Sequence, residues 1–101
     1  FFPFPEDIQA MYQEAKQAMT AYDYETAETT YSQIIESYPD FADAYYQRGV
    51  VYQSQANFDA ALADLQMYVS LVGEENFYSD ELSWRLEYLQ ALIETETDVE
   101  D

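Results

Sequence analysis

Cysteine and histidine are both absent from this 101-residue chain. Without cysteine there is no disulfide, no thiolate nucleophile and no cysteine-held metal, and no mark of redox compartment. Without histidine the commonest proton shuttle and the commonest transition-metal ligand are gone. Glycine occurs twice and proline three times, so the chain is poor in loop-forming residues. Lysine and arginine total three against 21 acidic residues, a net charge of −18. Nucleic acids and anionic membrane surfaces need basic side chains to neutralise phosphate, so neither is expected as a partner. No apolar run approaches the length that spans a bilayer, so no membrane insertion is expected.

What is present suits one folded domain. Apolar residues make up 49% of the chain, enough to bury a modest core. The acidity has two readings that stay open at this point. It is a solvated exterior, or it is a surface that attracts a basic partner; in either case self-repulsion costs stability at low salt. The first residues, Phe1-Phe2-Pro3-Phe4-Pro5, lack an initiator Met, as expected of a processed chain or of a domain from a longer one. No signal peptide is expected, since that needs a basic start and a longer apolar stretch. Residues 1–7 read as an aromatic and proline-rich arm that folds back on the first helices or docks into a partner. Residues 95–101 read as a frayed acidic tail.

The most informative positive feature is a period of 34. Residues 8–41 carry Ala15, Tyr24, Ala27, Tyr31 and Pro39; residues 42–75 carry Gly49, Phe58, Ala61, Leu65 and Gly73 in the same register. Helix signals fit this frame. Pro5, Glu6 and Asp7 open a helix reaching about Ala21, with acids at the positive end of its dipole. Asp23 is placed to cap a helix over Tyr24–Ser37, which Tyr38 and Pro39 stop. Asp40, with Asp43 in the manner of a capping box, is expected to start the third, from Phe41 to about Gln55. Asn57 is expected to cap a fourth over Phe58–Val72, which Gly73 ends as a left-handed terminator. A fifth runs roughly from Ser79 to Glu94.

With its small residues at Ala15, Ala27, Gly49 and Ala61 and its aromatics at Tyr24 and Phe58, the chain resembles the tetratricopeptide repeat family. The likeness covers residues 8–75 fully and 76–94 as a partial third unit that Ser83 begins. It implies an all-α solenoid of helix–turn–helix units, two full repeats plus a closing helix, five helices in total. The large residue expected near the start of each first helix is Met11, then Tyr45. The second repeat departs from the family in carrying Gly73 in place of the terminal proline.

The fifth helix carries more apolar surface than a cap needs. Leu82, Leu86, Leu89 and Ile93 form one stripe, expected to face the fourth helix. Trp84, Tyr88, Ala91 and Leu92 widen the arc well past half the circumference. The excess implies a ligand groove, a self-association face or a missing next repeat.

No catalytic constellation stands out. Acidic pairs such as Glu74-Glu75, Asp80-Glu81 and Glu25 with Glu28 are expected by chance among 21 acids, and none has the spacing of a calcium loop. No glycine-rich phosphate loop and no glycosylation sequon occurs. Neither enzyme activity, a metal nor a cofactor is expected.

In the resembled family the first helix of each unit lines a concave groove. Carried onto this chain, that lining includes Tyr12, Gln13 and Lys16 from the first repeat. The second supplies Asp43, Tyr46, Gln47 and Val50, and the third Phe77, Asp80, Glu81, Trp84 and Tyr88. The mixture suits contact with protein, because Tyr and Trp bury large area at small entropic cost. The basic clamp by which some family members hold a chaperone's C-terminal carboxylate is not matched, since Tyr12, Lys16, Gln47, Phe77 and Glu81 stand at its positions. The expected function is therefore a non-catalytic interaction module gripping a basic and apolar peptide or protein. Two other readings stand beside it: an acidic assembly domain that self-associates through its C-terminal helix, and a mimic of nucleic-acid charge acting through outer-face acids such as Glu25, Glu28 and Asp64.

Overall fold

In the computed structural model the backbone is described for residues 6–73 and 80–99, and side chains for 8–73 and 84–94. The described residues hold five helices and no strand: α1 Glu6–Thr20, α2 Tyr24–Ser37, α3 Ala42–Ser54, α4 Phe58–Val72 and α5 Asp80–Val99. Each packs on the next in chain order, α1 on α2 through to α4 on α5, as a solenoid requires. None is long and apolar enough to cross a membrane.

The repeat is written into the backbone as well as the sequence. Tyr22 and Ala56 lie 34 residues apart, and each takes a positive φ of 62° at the turn inside its helical pair. The next N–H reaches back five residues in both turns, Asp23 to the Ala18 carbonyl and Asn57 to the Tyr52 carbonyl, each at 2.8 Å. This is the six-to-one closure that ends a helix with a left-handed residue, made here twice without glycine. Asp23 caps α2 as expected, its carboxylate accepting from the Thr26 amide at 3.3 Å. Gly73 follows α4 with φ 83° and ψ 138°, a positive-φ conformation that suits glycine but lies outside the left-handed helical basin.

Two capping expectations are corrected. The N-cap of α3 is Phe41, with no side-chain bond, so Asp40 does not cap it. The Asp43 carboxylate accepts instead from Gln47, one turn further on. Asn57 stands at the N-cap of α4 but its side chain makes no capping bond. The acidic stretch after Glu94 continues α5 to Val99 rather than fraying at once, since neither Gly nor Pro interrupts it. Of the expected arm, residues 1–7, residues 1–5 lie outside the described residues, while Glu6 and Asp7 already belong to α1.

Small residues set the helix crossings. Ala15, Ala27 and Ala61 are fully buried and Gly49 is buried among them. A Cβ at Gly49 would lie 3.2 Å from the Leu65 side chain and 3.3 Å from the Ala61 carbonyl, so α3 and α4 touch at nearly backbone distance. Tyr31 and Leu65, the paired large positions of the two repeats, are both wholly buried. Around them lie two apolar clusters. One joins α1, α2 and the start of α3 through Ile8, Ala18, Ile34 and Phe41; the other joins α4 and α5 through Leu65 and Leu89.

Asp64 is not an outer-face acid. It is 6% exposed and paired with Arg48, which also donates to Ser32 on α2 at 3.1 Å. One guanidinium thus ties α2, α3 and α4. Aspartate appears at this α4 position because an arginine one helix earlier needs a partner, which helix periodicity alone does not reveal.

Candidate functional site

The first helices of the units, α1, α3 and α5, are linked by contacts that skip the helix between them. Tyr12 of α1 stacks on Phe41, at the mouth of α3, with ring centroids 5.5 Å apart. Arg85 of α5 donates a hydrogen bond to the Gln53 side chain of α3. The positions expected to line one face are thereby carried on helices that neighbour one another.

The individual residues fare differently. Gln13 and Lys16 are exposed on α1, and the Lys16 ammonium lies 5.5 Å from the centre of the Tyr12 ring. Tyr12 itself is corrected. It is 8% exposed, stacked on Phe41 and edge-on to Tyr31 at 5.9 Å, and so belongs to the core. An aromatic one turn from an apolar helix start is drawn inward wherever the next helix supplies a ring to stack on. Its contact area is already spent within the fold.

Asp43, Tyr46, Gln47 and Val50 are all half-buried on α3. Burial pushes the Asp43 carboxyl above its ordinary range, and the Gln47 hydrogen bond partly offsets this. Tyr46 sits edge-on to Tyr68 of α4 at 5.2 Å. Tyr68 was not anticipated; it stands where the first repeat has the fully buried Ile34, yet it is half-buried and keeps its hydroxyl near Asp43 and Tyr46. Burial, with the Asp43 charge behind it, raises its phenol above the ordinary value. The signal available in the sequence was the break in register itself, a tyrosine where the repeat calls for an aliphatic residue.

On α5, Trp84 and Tyr88 are exposed and stacked on each other, centroids 5.0 Å apart and planes 8° from parallel. The α5 backbone includes Asp80 and Glu81, whose side chains lie outside the described residues, as does Phe77 altogether. What the described residues among these positions offer, with Tyr68 beside them, is a mixture of amides, half-buried aromatics, a partly desolvated carboxylate and one flat exposed aromatic platform. Among the described residues no group of three or more acidic side chains is arranged to hold a metal ion.

Two tetratricopeptide repeat family models match the chain, one over residues 9–40 and the other over 30–63. The first follows α1 and α2; the second starts within α2, spans α3 and ends in α4. The offset between them is natural in a solenoid, where every helix packs on the next and either kind of neighbouring pair forms a unit. No curated protein matches the sequence. Tetratricopeptide domains generally mediate protein–protein interaction and are generally not catalysts. The period, the small residues at the crossings, the twice-made turn and the family matches agree, and this chain belongs to the tetratricopeptide repeat family.

Proposed function

We propose that the face carried by α1, α3 and α5 grips a peptide or protein segment rich in basic and apolar residues. The observation that carries this reading is the Trp84–Tyr88 platform, 57% and 42% exposed, on a chain with net charge −18. A pair of flat rings left in water on a helix offers cheap burial to an incoming chain, and stacked rings lose little further freedom on binding. Tyr46 and Val50 extend the apolar contact, while Gln13, Gln47 and the carboxylates of Asp43, Asp80 and Glu81 supply polar and charged partners. Phe77 is proposed for the same face. Lys16 would meet an acidic residue at one end. Tyr12 serves this face indirectly, by fixing α1 against α3.

Self-association through α5 is the competing reading, favoured by the same exposed rings. It has to bring two strongly acidic copies together, which like-charge repulsion opposes. Sedimentation decides between them: a monomer at high protein concentration is expected, and a dimer dispersed by Trp84→Glu with Leu92→Glu supports the rival.

The test of the binding reading starts by selecting a peptide from a displayed library on the full chain. Affinity for that peptide is then measured across two sets of variants. Tyr46→Ala and Trp84→Ala should each weaken it by about 2 kcal/mol at unchanged net charge. Glu25→Gln and Glu28→Gln, on α2 rather than on the three helices of the face, should change it little beyond what salt screening changes. The reverse pattern would identify charge mimicry instead. Asp64 is left out of the second set because its loss would damage the fold.

A further inference from the structure

An open crevice of about 450 Å³ lies between α4 and α5, with Leu62, Val69, Leu86 and Ala91 in its lining and Glu87 and Glu94 beside them. The same chain shows what such a crevice accepts. One repeat earlier Leu62, Val69 and Leu86 correspond to Glu28, Ile35 and Tyr52 on α2 and α3, whereas Ala91 and Glu94 correspond to Asn57 and Ala60, where the chain has already turned back into the helix α4 while α5 runs straight on. Arg48 of α3 bonds Ser32 on α2 and Asp64 on α4 at once, so the returning α4 lies beside α3 within reach of the same side chain as α2. Ala61 lets α4 approach by resting against Gly49. No described helix takes that place over α4 and α5.

We propose that this crevice docks an amphipathic helix of another protein, apolar along one stripe and flanked by Lys or Arg. The helical form follows from the precedent of α4. The basic flanks follow from Glu87 and Glu94, both exposed, on a chain whose excess of acid leaves few counter-charges. A second copy of this chain fits poorly as the occupant. It has three basic residues in all; Arg48 is held by Asp64 and Arg85 donates to Gln53. No helix of this chain offers the two cationic flanks the rim calls for. The crevice shares an apolar cluster with Tyr46, since Leu62, Val69, Leu86 and Tyr46 pack against the same buried residues, but its lining does not include Trp84 or Tyr88, which carry the proposed binding face.

The probe is a stapled helical peptide with Leu and Ala on one face and Lys on both flanks, together with a twin carrying Glu for every Lys. Binding to the full chain is read by fluorescence anisotropy, and a thermal melt of each variant checks the fold. The Lys peptide should bind with one-to-one stoichiometry, and the Glu twin at least about tenfold more weakly. Ala91→Arg, at an exposed position, should leave the melt unchanged and weaken the Lys peptide at least about tenfold; Leu86→Ala should weaken it while keeping the charge. Trp84→Ala, at an exposed position outside the lining, should leave it unaltered. Equal binding of the twins, indifference to Ala91→Arg, or loss of binding on Trp84→Ala would each overturn the proposal. So would a dimer of the chain alone that Ala91→Arg disperses, for then the occupant is a second copy.

Discussion

Arg48 and Asp64 meet across α3 and α4 in a two-point ion pair, Nε to Oδ2 at 2.7 Å and Nη2 to Oδ1 at 2.8 Å. The geometry is that of a guanidinium fork on a carboxylate, and the rings of Tyr45 and Tyr52 flank the cation at 5.9 and 5.6 Å. The Asp64 hydrogen bond holds the Arg48 guanidinium more firmly protonated than usual, against the opposing effect of burial. In a chain with three basic residues, one is thus committed to joining α2, α3 and α4 rather than to the surface.

Removing either partner strands the other in a mostly dry setting. Arg48→Met or Asp64→Leu alone should lower unfolding stability by about 3 kcal/mol, while the double variant should recover most of that loss. Urea midpoints of the three variants provide the check. Additive losses would mean that the pair is not coupled.

The crossing of α3 and α4 makes a second prediction, in which two effects oppose. Gly49→Ala gains about 1 kcal/mol of helix propensity but sets a Cβ 3.2 Å from Leu65. The two should nearly cancel, leaving the melting temperature little changed. Ala61→Leu has no such compensation at a fully buried position and should cost about 1–3 kcal/mol. A thermal melt showing no loss for the leucine variant would contradict the close approach.

The two left-handed turns are strained by their side chains. Tyr22 and Ala56 both sit at φ 62°, where a non-glycine residue costs about 1 kcal/mol or more. Ala56→Gly should therefore stabilise the protein despite the added freedom of its unfolded chain, by up to about 1 kcal/mol. Ala56 is exposed, so no packing is lost. Denaturant titration reads the gain directly.

Tyr31 is wholly buried, and its hydroxyl finds no hydrogen-bond partner among the described residues. Burial pushes its phenol from 10.0 up to about 12. A folded pKa above the unfolded one means that stability is intact below pH 10 and falls as pH rises through 12. Tyr31→Phe removes both the orphaned hydroxyl and this alkaline loss. The variant should gain about 1 kcal/mol at neutral pH and hold its stability better in the alkaline window. Melts across pH check both.

Much of the architecture was legible in the chain. The bounds expected for α2 and α4 are those observed, because Asp23, Pro39 and Gly73 act through local backbone chemistry. The small residues at Ala15, Ala27, Gly49 and Ala61 announced the close crossings, since only a small side chain permits them. Errors gathered where a distant partner decides. Tyr12 looked available for binding until Phe41 stacked on it. Asp64 looked like a surface acid until Arg48 claimed it. Tyr68 went unnoticed because it lies on the second helix of its unit, where only packing brings it beside Tyr46.

The division follows the range of the forces. Period, helix content, stops and crossings are set by residues within a few turns of one another, and a 34-residue repeat states them twice. Which aromatics face water, which carboxylate is paired and which crevice stays open depend on side chains from helices apart in sequence. Those choices exist only once the helices are stacked, because burial and ion pairing are properties of the packed surface and not of the chain. The sequence alone determined a solenoid of helical pairs with an acidic exterior. Only the tertiary structure decided that Trp84 and Tyr88 stand outside it while Tyr12 and Asp64 lie within.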